Sequence, residues 1–185
     1  MLQSKSLMDV FLHPGELFVA DENFQIRTIL GSCVSITLWH PKLRLGGMSH
    51  FLLPTRVPTT GSAALDGRYG DESLELLFRD LNAAGANPLQ CEARIFGGGN
   101  MFPCHRHTKG QLFKGGTVGM RNGEAARELL RLHGIRVVTE SLFGEGHRQV
   151  VFNVSKGEVW AKQVKPALLV ASAETADHGN ECESN

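Results

Sequence analysis

Gly31-Ser32-Cys33, followed seventeen residues after the cysteine by His50, has the residue types and spacing for nucleophilic chemistry. A cysteine attacks as its thiolate, and a nearby imidazole can take its proton. One apolar run, Val34 to Trp39, leaves the cysteine; another, Leu45 to Ser49, leads into the histidine. Between them, His40-Pro41-Lys42-Leu43 reads as a hairpin turn. Pairing Trp39 with Arg44 sets Cys33 opposite His50, where facing Cβ atoms stand roughly 4.5–5.5 Å apart. A one-residue slip would face Cys33 with Phe51 and turn His50 to the other side of the sheet. Gly31 permits a sharp turn before Cys33, with a positive φ if required, so that backbone N–H groups near Ser32 and Cys33 meet a developing oxyanion. The same residues also fit a small core cysteine and a hydrogen-bonded core histidine. Spacing alone leaves both readings open.

Two other clusters invite chemistry and satisfy it less well. Cys104-His105-Arg106-His107, with Cys91 upstream, offers zinc ligand types but lacks the paired Cys-x-x-Cys spacing of a zinc site. A solvated loop is the better reading. Gly97-Gly98-Gly99-Asn100 follows a strand, as phosphate-binding glycines do, but Met101-Phe102-Pro103 replaces the helix start and no Gly-Lys-Ser/Thr completes a P-loop. A tight turn, or close approach of this backbone to the active site, is expected instead.

The elements that must hold these residues are legible in outline. The first residues, to about Phe18, are short and mixed, with a turn at His13-Pro14-Gly15-Glu16. Phe24 to Leu53 is strand-like. Pro54 to Gly70 collects Pro, Thr, Gly and Ser and reads as a long surface loop, with a functional loop and a disordered connection both left open by composition. Asp71 caps a helix from Glu72 to about Ala84, with Leu74, Leu77, Phe78 and Leu81 on its buried face. Asn122 caps a second, Gly123 to His133, with Leu129, Leu130 and Leu132 as its apolar residues. Cys91–Phe96, Val137–Phe143, Val150–Val154 and Glu158–Val164 are strand-like, with Asn153 to Gly157 as a turn and Trp160 assigned to packing. Two helices among many hairpin-joined strands predict an α+β fold.

The 185 residues suit one domain over 1–170, with a small-residue, acidic tail at 171–185 expected to be disordered. Zero formal net charge gives no footprint for nucleic acid or an anionic membrane, despite Arg106, His107, Lys109 and Lys114. No apolar run reaches membrane-spanning length, and Met1 to Val10 lacks the core of a secretory signal. A cytoplasmic chain with reduced thiols is expected.

Several motifs occur together in one order. Leu30 to Val34, Gly46 to Pro54, Ile95 to Phe102 and Val118 to Asn122 are followed by Arg148, Phe152-Asn153-Val154 and Gly157-Glu158-Val159. This pattern, spread from about Gly15 to Val164, resembles the chemoreceptor glutamine deamidases, the CheD family. The resemblance implies a layered α/β/β cysteine-hydrolase fold with two main helices packed on β-sheet. It implies that Cys33 and His50 convert specific glutamines of methyl-accepting chemotaxis receptors to glutamate through a Cys33 thioester, releasing ammonia. The implied partners are those receptors, with a CheC-type phosphatase as a further one; no cofactor or metal is implied. A non-catalytic receptor- or adaptor-binding module is the rival. The family's usual third residue is a threonine one position farther upstream than Thr28 stands from Cys33. Arg27 occupies that position here, and Thr28 is the chemical equivalent.

Overall fold

In the computed structural model, residues 6–57, 64–101 and 116–165 are described. The expected tail and the Cys104–His107 run fall outside them. Among the described residues, nine strands, two helices and one 3₁₀ turn at Pro88–Gln90 follow the order β1 Met8–Phe11, β2 Leu17–Ala20, β3 Phe24–Leu30, β4 Val34–His40, β5 Leu45–Ser49, α1 Gly70–Ala83, β6 Glu92–Gly97, α2 Val118–Leu132, β7 Val137–Leu142, β8 His147–Asn153 and β9 Glu158–Val164. The strands form a four-stranded sheet, β1-β3-β8-β9, and a five-stranded sheet, β2-β5-β4-β6-β7.

Side-chain alternation sorts these elements into three layers. Along β3, Ile26, Thr28 and Leu30 are buried, while Arg27 and Ile29 face out. Ile26 and Leu30 pack with Met48, Phe96, Val150 and Phe152 in a core between the two sheets. A second core lies on the other face of the five-stranded sheet: Val34, Ile36, Leu38 and Phe51 meet Leu74, Leu77 and Leu81 of α1 and Ala126 and Leu130 of α2. Strand β4 is therefore covered on both faces, which is why it is apolar with small hydroxyl residues rather than alternating with charge. The result is the α+β, α/β/β layering that the sequence predicts.

Several details differ from expectation. The opening residues are two strands, β1 and β2, too short to show periodicity. Helix α1 starts at Gly70 with Tyr69 at its N-cap, placing Asp71 inside the first turn. Helix α2 starts at Val118 under a Thr117 cap whose hydroxyl accepts from the Met120 amide, so Asn122 is a second-turn residue rather than a cap. Gly119 in the first turn and Gly123 in the second disguise this start, since glycine is a poor helix former. Leu132 is 65% exposed, and Trp160 is 53% exposed on β9; neither belongs to a core.

The hairpin register also moves. His40 pairs with Leu45 and Trp39 with Gly46, so the turn is Pro41–Arg44, two residues from the assumed pairing. Arg44 closes it with a φ of +50° and donates its amide to the His40 carbonyl at 2.9 Å. The His40 ring also accepts from the Leu43 amide at 3.3 Å. A shift of two preserves which face each side chain occupies.

Candidate active site

Cys33 and His50 each precede one member of the antiparallel bridge Val34–Phe51 by one residue. Val34 and Phe51 point into the helix-side core, so alternation sends Cys33 and His50 to the other face, between the sheets. They are diagonal neighbours rather than directly opposed, at a cross-strand offset where backbones are roughly 7–8 Å apart and side chains closer.

His50 is 3% exposed. Its Nδ1 lies 2.8 Å from Thr28 Oγ1, and that hydroxyl donates its one proton to the Leu12 carbonyl at 2.7 Å. A carbonyl only accepts, so Thr28 must accept from His50 Nδ1–H, and the ring's Nε2 carries the lone pair. Thr28 comes from the four-stranded sheet and His50 from the five-stranded sheet; their hydrogen bond spans the layer between. The neighbouring Arg27 points outward to Asp9, at 2.6 Å, and over the Phe11 ring. Of the two residues near the family's third position, Thr28 faces His50.

The His13–Glu16 turn, read from sequence only as a turn, forms one wall of the site. Gly15 donates its amide to the His50 carbonyl at 2.7 Å, and His50 donates its amide to the Glu16 carbonyl at 2.9 Å. Burial pushes the His50 ring below its ordinary pKa, with the Leu12 carbonyl and the Glu16 charge opposing and His13 adding to the fall. Burial likewise pushes the Cys33 thiol up, opposed by its own backbone N–H. The resting pair at neutral pH is therefore a thiol and a neutral imidazole.

Backbone grips surround the cysteine. Gly99 donates to the Gly31 carbonyl at 2.8 Å and Gly98 to the Cys33 carbonyl at 2.8 Å, while Asn122 Nδ2 donates to the Ser32 carbonyl at 3.0 Å. Three successive carbonyls are thus held, and in trans peptides the Ser32 and Cys33 N–H groups lie opposite the Gly31 and Ser32 carbonyls. Gly31 does not adopt a positive φ; a Cβ there would stand 2.9 Å from Sδ of Met101, an exposed and flexible side chain that could move aside. The positive φ belongs to Gly97, at +115°, where a Cβ would stand 2.2 Å from the Cys33 carbonyl. The expected approach of the glycine run to the cysteine is thus what the fold contains.

Two supporting residues escaped sequence reading as site parts. Asn122 is fully buried, and its Nδ2 also donates to the Leu52 carbonyl at 2.7 Å. Arg148, 5% exposed on β8, donates to the Gly97 carbonyl at 2.9 Å and the Phe143 carbonyl at 3.0 Å, and burial lowers its pKa. Both hold carbonyls, which carry no residue-type signal; the motifs in which they sit were the available clue.

The loop from Pro54 to Gly70 is anchored at both ends. Leu52 and Leu53 donate their amides to the Arg68 carbonyl at 2.9 and 3.1 Å, and Arg56 forms an ion pair with Glu72. Its return leg belongs to the fold around His50; residues 58–63 lie outside the described set. Cys91 sits in the helix-side core with its thiol pushed up to about 11, as burial demands of an inert packing cysteine. Among the described residues, no group of three metal-ligating side chains converges, and no helix is long and apolar enough to cross a membrane.

Comparison with known proteins agrees with this architecture. The family model "CheD chemotactic sensory transduction" matches residues 52–163. A protein of Albidiferax ferrireducens, named "Probable chemoreceptor glutamine deamidase CheD 2", is 59% identical over 167 residues, covering 90% of this chain and 93% of that protein. A "Probable chemoreceptor glutamine deamidase CheD 3" of Dechloromonas aromatica is 44% identical, over 83% of this chain and 86% of its own length. A third, of Pseudomonas savastanoi pv. phaseolicola, is 40% identical over 83% and 84%. With the family model covering more than half of the sequence and these relatives spanning both Cys33 and His50, the chain belongs to the CheD family.

Proposed function

We propose that this chain is a cysteine hydrolase that deamidates specific glutamine side chains of methyl-accepting chemotaxis receptors. The relatives' names supply the reaction and substrate class. The observation that carries the reading to this chain is the Leu12–Thr28–His50 hydrogen-bond chain, because it leaves Nε2 of a buried imidazole as a base on the Cys33 side of the sheet.

His50 Nε2 takes the Cys33 proton, and the thiolate attacks the carbonyl carbon of the glutamine side chain. The oxyanion accepts from the Ser32 and Cys33 N–H groups. Collapse of the tetrahedral adduct breaks the C–N bond while the His50 imidazolium donates its proton to the leaving nitrogen, releasing ammonia and forming a Cys33 thioester. His50 then deprotonates water, which attacks the thioester; sulfur leaves, recovers the proton, and glutamate remains. Thr28 keeps the ring in the tautomer that both half-reactions use. The reaction takes place in the cytoplasm, on receptor segments there, with a CheC-type phosphatase as a regulatory partner.

The test is mass spectrometry of a receptor cytoplasmic fragment after incubation with the protein. A gain of about one mass unit at glutamine, with ammonia released in equal amount, is the expected result. Binding without a mass change would favour the non-catalytic module.

The pH dependence follows from the two shifts. The competent state needs His50 neutral and Cys33 protonated, the same proton count as the thiolate–imidazolium pair it becomes. Activity therefore rises as pH passes upward through the His50 pKa, which burial puts below 6.5, and falls only above the Cys33 pKa, which burial puts above 9.0. A plot of kcat/KM should be flat from about pH 7 to about pH 9. An acid limb centred above 6.5 would contradict the neutral resting pair.

A further inference from the structure

Asn122 makes contacts that a packing residue does not need. It lies in the second turn of α2, fully buried, and one side-chain nitrogen donates both its hydrogens to backbone carbonyls of two separate segments. One is the Ser32 carbonyl, in the peptide whose N–H belongs to Cys33. The other is the Leu52 carbonyl, two residues beyond His50. Because both partners only accept, the amide cannot be flipped, and its Oδ1 is left buried without a hydrogen-bond partner. A leucine or alanine would fill a helix-side position without stranding a polar atom.

The helix is brought close enough for this by Gly119, where a Cβ would stand 2.4 Å from the Gly98 carbonyl. The first turn of α2 thus rests on the glycine run that grips Cys33, and Asn122 reaches past it to the nucleophile's own peptide.

We infer that Asn122 is a positioning residue for catalysis: by holding the Ser32 carbonyl on one side, it turns the Cys33 N–H to the other, toward the reacting atoms, while its second hydrogen bond fixes the end of the His50 strand to the same helix. A trans peptide carries its C=O and N–H in opposite directions, so grip on one sets the aim of the other. The same N–H pulls the Cys33 thiol pKa down, against the larger rise that burial gives it. During turnover it faces the oxyanion. Asn122 touches neither substrate nor sulfur and acts through the peptide it holds. This inference rests on the deamidase reading for its effect on turnover; its effect on the thiol rests on the Asn122 grip on the Ser32 carbonyl and on the pull of the Cys33 N–H on the thiol, and needs no receptor.

The test uses the full chain carrying Asn122→Ala and, separately, Asn122→Asp, which keeps the side chain's shape but removes the two-hydrogen donor. Two readouts are taken: deamidation of a receptor fragment, and the rate of Cys33 alkylation by iodoacetamide against pH, both at temperatures below each variant's thermal transition. In the folded variants kcat should fall on the order of 10²-fold with KM nearly unchanged. The alkylation profile should move to higher pH, with the rate near pH 7.5 falling about 3–10-fold. A purely structural role would lower the Tm and leave the alkylation profile of the folded protein in place; that result, or wild-type kcat in either variant, overturns the inference. So does failure of both variants to fold, since Asn122 would then serve the whole fold. The alkylation arm needs no receptor. If the wild type fails to deamidate while the profile still shifts, the deamidase reading falls and the positioning role stands.

Discussion

Cys33→Ala should release no ammonia from a receptor fragment and leave its glutamines at their original mass. Removing the nucleophile of such a site costs on the order of 10⁴–10⁶ in rate, because the partners that activate it have nothing left to activate. Folding should survive. Cys33 is a partly exposed residue at the edge of the inter-sheet core, and only one atom is lost, so the stability change should stay within about 1 kcal/mol. The informative comparison is therefore turnover against thermal transition and receptor binding. Deamidation at more than a trace by folded Cys33→Ala would end the thioester route and move the chemistry elsewhere in the molecule.

His50→Gln should be nearly as damaging for a different reason. Glutamine can still donate toward Thr28, but its amide is far too weak a base to take the thiol proton and far too weak an acid to protonate the leaving nitrogen. An amide is a poor leaving group unless protonated, so both transfers are lost together, a fall of about 10³–10⁴-fold. The thiol itself remains. At pH values above its pKa, Cys33 should alkylate at close to the wild-type rate even though turnover has gone. Retention of more than a tenth of wild-type kcat would show that His50 is not the proton carrier. Loss of high-pH alkylation as well would mean that the substitution had damaged the cysteine's surroundings.

What could be read from sequence follows from how local each signal is. The apolar face of α1 is written at helical spacing in Leu74, Leu77 and Leu81, and all three are in the core. The hairpin was legible as a hairpin, but its register was not: Arg44 takes the left-handed position that glycine or asparagine usually marks. The error of two residues was harmless to the site because faces repeat every two. The Cys33–His50 pair was visible because side-chain types announce it. Thr28 is visible in sequence only as an ambiguity with Arg27; the alternation of β3 turns Thr28 inward to His50 and Arg27 outward. The His13–Glu16 wall, the glycine grips and the Asn122 clamp were invisible as site parts, because each works through a main-chain carbonyl or amide that every residue possesses.

The hydrogen bond from Thr28 to His50 has a mechanical side. Its two ends belong to different sheets, and each sheet's ladders would survive a small slide of one over the other. A displacement of about 1 Å would nonetheless carry a 2.8 Å contact beyond hydrogen-bonding range. The pair works like the marks of a vernier, in line only when two separately built scales coincide. Methyl groups far from the cysteine, such as those of Ile26 and Val150 in the inter-sheet core, therefore share in setting the alignment of the His50 ring.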